Sequence, residues 1–299
     1  MRICVIGRHG QLASALAQEG AANNVDVVQI GRPELDLMRP DNAAAQIGAL
    51  RPDIVVNAAA YTAVDAAQSN ELAAEAINVA GPRILAQVTA SLSIPIIHIS
   101  TDYVFDGKKA TPYTEDDFTG PINVYGRTKL DGERAVGQAN PRHVILRTSW
   151  IYAHEGNNFV RTMLRLASNG VVRVVSDQFG SPTYATDLAR AILKISSNII
   201  DAEPEDARFG LFHIAGGADT TWAGLAEAVF ALSALHGLPA AQVSPIDTAS
   251  FPTAARRPAN SRLDCARVRR VHGIIMPLWP DGLARCLMQL APINEGINP

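Results

Sequence analysis

The 299-residue sequence is poor in cysteine, in charged residues and in long apolar runs, and each shortage argues against a class of protein. Its three cysteines, Cys4, Cys265 and Cys286, cannot all pair and lack metal-ligand spacing, which favours reduced thiols in a cytosolic enzyme. No segment approaches the roughly 20 apolar residues of a membrane-spanning helix, and the apolar run at the N-terminus is too short for a signal peptide. A net charge of −3 without a dense basic cluster argues against a nucleic-acid surface. We therefore expect a cytoplasmic globular protein that binds neither membrane nor nucleic acid.

Strand-like and helix-like segments alternate along the chain, and this alternation predicts the fold. Apolar runs that suit buried strands lie at residues 2–6, 25–30, 53–60, 94–100 and 144–148, and helical patterns lie at 40–50 and 71–91. Repeated β-α-β units of this kind predict an α/β protein with a doubly wound parallel sheet, Rossmann-like, and helices on both faces. Ligands bind at the carboxyl ends of the strands in such sheets, so the residues that follow each strand are the candidate site.

A glycine-containing turn after the first strand indicates a dinucleotide phosphate loop. The spacing is Gly7-x-x-Gly10-x-x-Ala13, followed by a helical segment, although the full G-x-G-x-x-G fingerprint is not met. Glycines let the backbone approach a pyrophosphate, and the helix N-terminus offers unpaired N–H groups. The alternative is an ordinary tight turn. After the second strand stands Arg32, where an acidic residue would favour NAD, so we predict NADPH with NADH as a second cofactor. A surface arginine unrelated to the cofactor remains the alternative.

The pair Tyr125 and Lys129 has the spacing of a catalytic Tyr-x-x-x-Lys motif. If the segment is helical, a spacing of four places both side chains on one face. An ammonium group held near the phenol would lower the tyrosine pKa and allow the phenol to exchange a proton. The alternative is a surface tyrosine beside a solvated lysine, because the motif is short.

Longer motifs resemble the extended short-chain dehydrogenase/reductases and, within them, the dTDP-4-dehydrorhamnose reductase family. The matching segments are Gly7 to Leu12, Asp53 to Asp65, Ile99 to Gly107, Tyr125 to Lys129, Arg147 to Tyr152, Asp177 to Thr183 and Arg257 to Asp264. The resemblance implies a dTDP-sugar ketone as substrate. It also implies that Tyr125 protonates the ketone oxygen, that Lys129 lowers the tyrosine pKa and binds the nicotinamide ribose, and that Thr101 donates a hydrogen bond to the developing oxyanion. A strand-end hydroxyl that caps a backbone group is the alternative for Thr101.

The predicted site residues fall into two groups. The cofactor contacts are Gly7, Gly10, Gln11, Leu12, Arg32, Asp36, Leu37, Ala58, Ala59, Ala60, Tyr125 and Lys129. The substrate contacts are Val64, Thr101, Asp102, Tyr103, Tyr125, Trp150 and Arg257. By resemblance, Trp150 packs against the deoxysugar, with a core tryptophan as the alternative, and Arg257 neutralises the diphosphate, a task that Arg256 could share. The predicted division is a dinucleotide-binding domain at 1–150 and 184–217 and an interleaved, smaller α/β substrate domain at 151–183 and 218–299.

Some features depart from the family or leave alternatives open. Some members bind Mg²⁺ at a dimer contact through a glutamate in the first helix, where this chain has Ala13-Ser14-Ala15, so we predict no metal site. Residues 65–70 lack the Lys and Glu that are common after Val-Asp, which bears on the substrate-side loop and on whether the protein is a homodimer. His98 and His154 have no ligand-like partners and are expected to be structural. The rival functions are a related sugar-nucleotide reductase or epimerase of different product stereochemistry and a non-catalytic regulatory subunit.

Overall fold

The computed structural model describes residues 1–291 and contains a six-stranded parallel sheet together with three small sheets. In chain order the strands are β1 (Arg2–Ile6), β2 (Asp26–Ile30), β3 (Ile54–Asn57), β4 (Ile96–Thr101), β5 (His143–Thr148), β6 (Ile151–Tyr152), β7 (Val171–Val175), β8 (Phe179–Gly180), β9 (Thr183–Tyr184), β10 (Gly210–His213), β11 (Thr220–Thr221) and β12 (Gln242–Ile246). The helices are α1 (Gln11–Ala22), α2 (Ala43–Leu50), α3 (Val64–Ala67), α4 (Glu71–Glu75), α5 (Gly81–Ser91), α6 (Val124–Ala139), α7 (Phe159–Leu166), α8 (Ala185–Ile199), α9 (Trp222–Leu235), α10 (Ala266–His272) and α11 (Trp279–Leu290).

The large sheet has the strand order β2-β1-β3-β4-β5-β10, and every pairing in it is parallel. Alternate residues of β1 point to opposite faces. Ile3 and Val5 pack with α1 and α8, whereas Cys4 and Ile6 pack with α2, α5 and α6. Both faces are therefore apolar, which explains the near-continuous hydrophobic runs in the sequence. The predicted fold class, a doubly wound parallel sheet with helices on both faces, is confirmed.

The order of the central strands determines where a ligand can bind. Chain direction along the sheet reverses between β1 and β3, since β2 lies on one side of β1 and all later strands lie on the other. Where the connections that follow two neighbouring strands run in opposite directions, a crevice opens at the carboxyl ends of those strands. This crevice is the usual ligand site in open α/β sheets. The glycine turn after β1 and the alanine-rich loop after β3 meet at this point, and Ala58 N donates to Ile6 O at 3.1 Å.

A second hydrophobic core lies among α7, α9 and α11 and the small sheet that pairs β7 with β12. Its buried members include Tyr152, Met163, Val229 and Leu287. The predicted domain division stays a prediction. Val268 on α10, which that division assigns to the substrate domain, packs in the core of the large sheet with α8. The end of the predicted division, residues 292–299, lies outside the described residues.

The helical segment predicted at 71–91 is confirmed, and within it a π-helical turn, Ala76–Ala80, joins α4 to α5. Asn78 in this turn accepts a hydrogen bond from Tyr61 N at 2.8 Å and donates one to the Thr128 hydroxyl at 3.0 Å. A Cβ on Gly132 of α6 would lie 2.0 Å from Asn78 O, so glycine is needed at this crossing. The wide turn thus ties the loop after β3 to the helix that carries Tyr125.

In the part of the chain that the structure describes, no helix combines the length and the apolar character that crossing a membrane requires.

Candidate active site

A cleft of about 720 Å³ lies at the carboxyl ends of β1, β3, β4 and β5. It brings together every predicted cofactor residue and, of the predicted substrate residues, Thr101, Asp102, Tyr125 and Trp150. Sequence reasoning missed several further residues of its lining: Arg8, His9, Gly31, Leu35, Thr62, Ile77, Ser100, Thr148, Ser149, Gly156 and Asn157. The predicted residues came from segments far apart in sequence, so their convergence follows from the sheet order.

One side of the cleft, here called the phosphate-loop wall, consists of residues 7–12 and 58–60 together with Arg32, Asp36 and Leu37. Gly7 has φ of +128°, a backbone conformation that residues with side chains rarely adopt, and its N–H donates to Ile30 O at 2.8 Å. A Cβ at Gly7 would lie 3.6 Å from Ala59 N and from the Ala13 Cβ. Helix α1 starts directly after Gly10 without a side-chain cap and without an acidic residue in its first turn. Its first N–H groups are therefore available to an anion.

The far end of this wall contains Arg32, Asp36 and Leu37. The Arg32 side chain is exposed and makes no ion pair within residues 1–291, whereas the neighbouring Arg8 pairs with Glu34 at 3.0 Å. Asp36 accepts a hydrogen bond from Met38 N at 3.0 Å, which fixes the carboxylate in a local turn. A cation at the cleft without an acidic partner suits a phosphate group better than a ribose hydroxyl.

Helix α6 carries Tyr125 and Lys129 one turn apart, as the spacing predicted, and Glu133 one turn further along. Asn123 caps the helix by accepting from Gly126 N at 2.8 Å, and its amide nitrogen donates to Arg256 O at 2.8 Å. The cap therefore links the start of α6 to the segment that contains the arginine pair at 256–257.

The expected lowering of the Tyr125 pKa is wrong for this structure. Burial raises the pKa of Tyr125 to about 12, the nearby Thr101 hydroxyl opposes the rise, and the Asp102 carboxylate adds to it. The physical reason is that removing a phenolate from water costs more free energy than the hydrogen bond with Thr101 recovers. Tyr125 thus holds its proton firmly, a state that suits a proton donor.

Lys129 is only 2 % exposed, which excludes the alternative of a solvated surface lysine. Its Nζ donates to Ile99 O at 2.6 Å and lies 3.4 Å from His98 Nε2. Burial lowers the pKa of Lys129 to about 8, and the Glu133 carboxylate opposes this shift. Lys129 is therefore able to change its charge near neutral pH, unlike an ordinary lysine.

Glu133 belongs to a buried ion pair beneath the site. Its carboxylate accepts from Arg147 Nε at 2.9 Å and from Arg147 Nη2 at 2.7 Å, and the Ser100 hydroxyl also donates to it. The bidentate geometry joins α6 to β5 and pairs the two buried charges, since neither residue is more than 5 % exposed, while Arg147 Nη1 is buried without a hydrogen-bond partner. The pair fixes the depth of α6 against the sheet.

Thr101 caps a backbone group, which is the alternative role considered for it, and it also lines the cleft, while its role at an oxyanion stays a prediction. Its hydroxyl accepts from Tyr103 N at 3.2 Å and donates to Asp102 Oδ1 at 3.0 Å. Burial raises the pKa of Asp102 to about 7. Because the Thr101 hydroxyl has a single proton, which it donates to Asp102, the expected hydrogen bond from Thr101 to an oxyanion would have to replace this bond.

Trp150 lines another part of the cleft and belongs to an aromatic cluster, here called the aromatic wall, in which Trp222 and Phe159 support it without lining the cleft themselves. Trp150 has φ of +48° and stacks on Trp222 with ring centroids 3.6 Å apart and planes at 11°. Phe159 packs against the far side of this stack, 4.6 Å from Trp222. A Cβ on Gly180 would lie 2.5 Å from the Trp150 ring, which explains the glycine in the segment 177–183. Trp222 had no recognisable signal in the sequence, because only the folded chain brings it to Trp150.

Three predicted substrate residues, Val64, Tyr103 and Arg257, do not line the cleft. The Tyr103 ring instead makes an edge contact with the Tyr125 ring, with centroids 5.7 Å apart. Arg257 Nη2 lies 2.7 Å from Asp65 Oδ2, next to Val64 at the start of α3. Tyr103 therefore contacts Tyr125 from outside the cleft lining, and the Asp65 carboxylate holds Arg257 beside the start of α3.

The lining offers unused polar groups that a dinucleotide could bind. Among the described residues, the Gln11 side-chain oxygen and the Thr148 hydroxyl are buried without a hydrogen-bond partner, and both belong to residues that line the cleft. Such atoms are costly unless a ligand or solvent satisfies them. Together with the glycine cradle they fit a nicotinamide dinucleotide.

Residues 1–291 contain no group of three or more His, Cys, Asp or Glu side chains that could hold a metal ion. Ala13 and Ala15, at the position of the family's metal-binding glutamate, are buried in the core. His98 is fully buried between Asn57 and Lys129, and His154 lies 3.6 Å from Glu155. The absence of a metal site stays a prediction.

The parallel sheet, the glycine turn and the grouping of Tyr125, Lys129 and Thr101 define an extended short-chain dehydrogenase/reductase. Residues 1–291 match the family described as RmlD substrate binding domain, and the chain belongs to this family. A dTDP-4-dehydrorhamnose reductase from Sinorhizobium fredii is 46 % identical over 97 % of this chain and 98 % of its own. The predicted family resemblance is confirmed.

Two further relatives mark the range of the similarity. The crystal structure of dTDP-4-dehydrorhamnose reductase from Bacillus anthracis in complex with NADP has a TM-score of 0.89 and 32 % identity, covering 96 % of this chain and 99 % of that chain. A probable dTDP-4,6-dihydroxy-2-methyloxan-3-one 4-ketoreductase from Streptomyces antibioticus is 42 % identical over 90 % of this chain and 88 % of its own. Both of these proteins are similar to the chain over most of their length.

Proposed function

We propose that the protein is an NADPH-dependent reductase that converts dTDP-4-dehydrorhamnose to dTDP-L-rhamnose. The observation that carries the proposal is the convergence of a dinucleotide cradle and a buried, proton-bearing Tyr125 in one cleft. The near-full-length similarity to dTDP-4-dehydrorhamnose reductases supplies the substrate class, and the NADP complex of the Bacillus anthracis relative supports the cofactor.

The phosphate-loop wall would hold the cofactor. Gly7 and Gly10 would let the backbone approach the pyrophosphate, Arg32 would bind the adenosine phosphate that distinguishes NADPH from NADH, and Gln11 and Thr148 would offer polar groups to the rest of the dinucleotide. NADPH, when bound, supplies the hydride for ketone reduction. The chain itself supplies position, a proton and exclusion of water.

Tyr125 would give its phenolic proton to the ketone oxygen. Its raised pKa means that the phenol is fully protonated at neutral pH, so donation must occur together with the build-up of negative charge on that oxygen. Thr101 and Asp102 lie beside this position and would stabilise the oxygen by hydrogen bonds, and the Asp102 carboxyl could donate as well when it is protonated. Trp150 would place an aromatic face against the apolar methyl edge of the deoxysugar.

The proposal is tested by mixing the purified protein with NADPH and dTDP-4-dehydrorhamnose and following nicotinamide absorbance. We expect turnover by the wild type and a loss of roughly 10²- to 10⁴-fold in kcat for Tyr125→Phe, with NADPH affinity preserved. Tyr184→Phe is the matched control, because Tyr184 is buried in the second core, away from the cleft. Binding of NADPH without any turnover by the wild type would instead favour a regulatory subunit.

A second candidate is a reductase of a related dTDP-4-keto-6-deoxyhexose with different product stereochemistry. The 42 % identity to the Streptomyces antibioticus 4-ketoreductase favours keeping this candidate. The two activities differ in which face of the ketone receives the hydride, and in whether the sugar has first been epimerised. NMR of the product from dTDP-4-dehydro-6-deoxyglucose, with and without an added 3,5-epimerase, distinguishes them.

A further inference from the structure

A buried chain of hydrogen-bonding groups extends from Lys129 away from the cleft. Lys129 Nζ lies 3.4 Å from Nε2 of His98 on β4, and Nδ1 of the same ring lies 3.0 Å from Asn57 Nδ2 at the end of β3. His98 and Asn57 are both fully buried. Neither residue lines the cleft, so a contact with substrate does not explain them.

The orientation of the Asn57 amide decides which nitrogen of His98 carries the proton. Ala59 N–H donates to Asn57 Oδ1 at 3.2 Å, which directs the amide NH₂ group toward the imidazole. An amide nitrogen only donates, so His98 Nδ1 must accept, and the proton of a neutral imidazole must then be on Nε2. Burial and the nearby Lys129 hold the pKa of His98 well below its ordinary value, which keeps the ring neutral. His98 therefore presents an N–H group to Lys129.

The two charge states of Lys129 respond differently to this N–H group. An ammonium has three donors and no acceptor, so it cannot accept a hydrogen bond from the His98 Nε2–H group, whereas a neutral amine has a lone pair that can accept this hydrogen bond. Ile99 O, at 2.6 Å, is satisfied by either state. The charged group that acts on Lys129 from α6 is Glu133, which is paired to Arg147 of β5, and Tyr125, with Asp102 beside it, lines the same cleft as Lys129.

We propose that His98, with its tautomer fixed by Asn57, is a positioning residue that biases Lys129 toward the neutral amine and so makes this lysine a proton-exchanging group instead of a fixed cation. The lowered pKa of Lys129 agrees with this geometry. The inference rests on the proposed function, because it assigns Lys129 the task of returning a proton to Tyr125.

The proton transfer balances without any further reactant. When a proton that leaves the Lys129 ammonium reaches the Tyr125 phenolate, which lines the same cleft, one N–H bond breaks and one O–H bond forms. The amine that remains accepts a hydrogen bond from His98 Nε2–H, which keeps its proton, and a proton from solvent then restores the ammonium. No electrons are transferred in these steps, and the net reaction consumes the one proton that ketone reduction requires.

The direct test is an NMR titration of lysine side chains labelled with ¹³C and ¹⁵N. The chain has only four lysines, Lys108, Lys109, Lys129 and Lys194, so the Lys129 signal can be assigned by its loss in Lys129→Met. Asn57→Asp presents a carboxylate to His98 Nδ1, which moves the ring proton to Nδ1 and leaves Nε2 to accept from the ammonium. We expect the Lys129 midpoint to rise by about one pH unit or more.

A double-mutant cycle separates this tautomer effect from the charge of the new carboxylate. In a His98→Phe background Asn57→Asp should shift the midpoint much less, because only the direct Coulombic effect remains. In a His98→Gln background the large shift should return, since the glutamine amide can present either its donor or its acceptor to Lys129. Equal shifts in all three backgrounds, or no shift in any, would overturn the proposal.

Two arrangements keep the test decisive. If Asn57→Asp does not fold, as judged by circular dichroism, Asn57→Ala replaces it, because it also frees the ring proton to move and should raise the midpoint without adding charge.

The titration needs no substrate, so it gives its answer even if the protein fails to reduce dTDP-4-dehydrorhamnose. In that case the proposed function fails while the role of His98 stands. Conversely, if the protein reduces the sugar but the Lys129 midpoint responds to none of the variants, the role of His98 fails while the proposed function stands.

Discussion

The phosphate-loop wall and the aromatic wall of the cleft are built in different ways. The first consists of backbone and small side chains, where Gly7, Gly10 and Ala58 to Ala60 leave space for a ligand. The second consists of large rings that support one another, with Trp150 held against Trp222. The first wall depends on local chain conformation and the second on contacts between distant segments. Their responses to mutation should therefore differ in kind.

The largest effect is expected at the aromatic wall. Trp222→Leu removes the stack that holds Trp150 at positive φ, and the lost contacts should lower the free energy of unfolding by about 2–4 kcal/mol. We also expect the KM for the dTDP-sugar to rise while the KM for NADPH stays unchanged. Urea unfolding and steady-state kinetics measure the two effects.

Trp279→Leu is the control for this change, because Trp279 packs in the same core without a stacking contact to Trp150. It should lower stability while leaving the KM for the sugar unaffected. A similar rise of that KM in both variants would mean that the aromatic wall responds to loss of stability alone and does not position the sugar.

This contrast also describes what the sequence could predict. The strands β1, β3, β4 and β5 were placed within a few residues, because an apolar run buried on both faces is a local pattern. The turn with Gly7 and Gly10 was identified because a strand, a glycine turn and a helix must follow one another in the chain. The spacing of Tyr125 and Lys129 likewise requires only one helix.

The features that were missed depend on packing between segments far apart in the sequence. Trp222 lies 72 positions after Trp150, and nothing in its local sequence indicates the stack. The π-helical turn at 76–80 forms where Asn78 meets both α6 and the loop after β3. The Tyr125 pKa was predicted in the wrong direction because burial, which outweighs the effects of its neighbours, is a property of the fold.

At the phosphate-loop wall a smaller effect is expected, and it should be one of backbone strain. Gly7→Ala places a side chain on a residue with φ of +128°, which should lower the free energy of unfolding by about 1–3 kcal/mol. Gly10 has φ of −78° and no atom within 4 Å of a built Cβ, so Gly10→Ala should leave stability within about 0.5 kcal/mol of the wild type. Thermal and urea unfolding without cofactor measure both values. Equal losses at the two glycines would show that conformation at Gly7 is not what this turn requires.

The smallest effect concerns Arg32, at the exposed end of the phosphate-loop wall. Arg32→Gln removes a cation that has no acidic partner within the described residues, so we expect the ratio of kcat/KM for NADPH to that for NADH to fall by about tenfold, or about 1.4 kcal/mol. Arg39→Gln is the control, because this arginine is also exposed but lies outside the cleft. Since the mutation alters charge and not the backbone, the stability of the fold should not change. If kcat/KM falls equally for both cofactors, Arg32 contacts a part that they share, and the preference for NADPH must come from another residue of this wall.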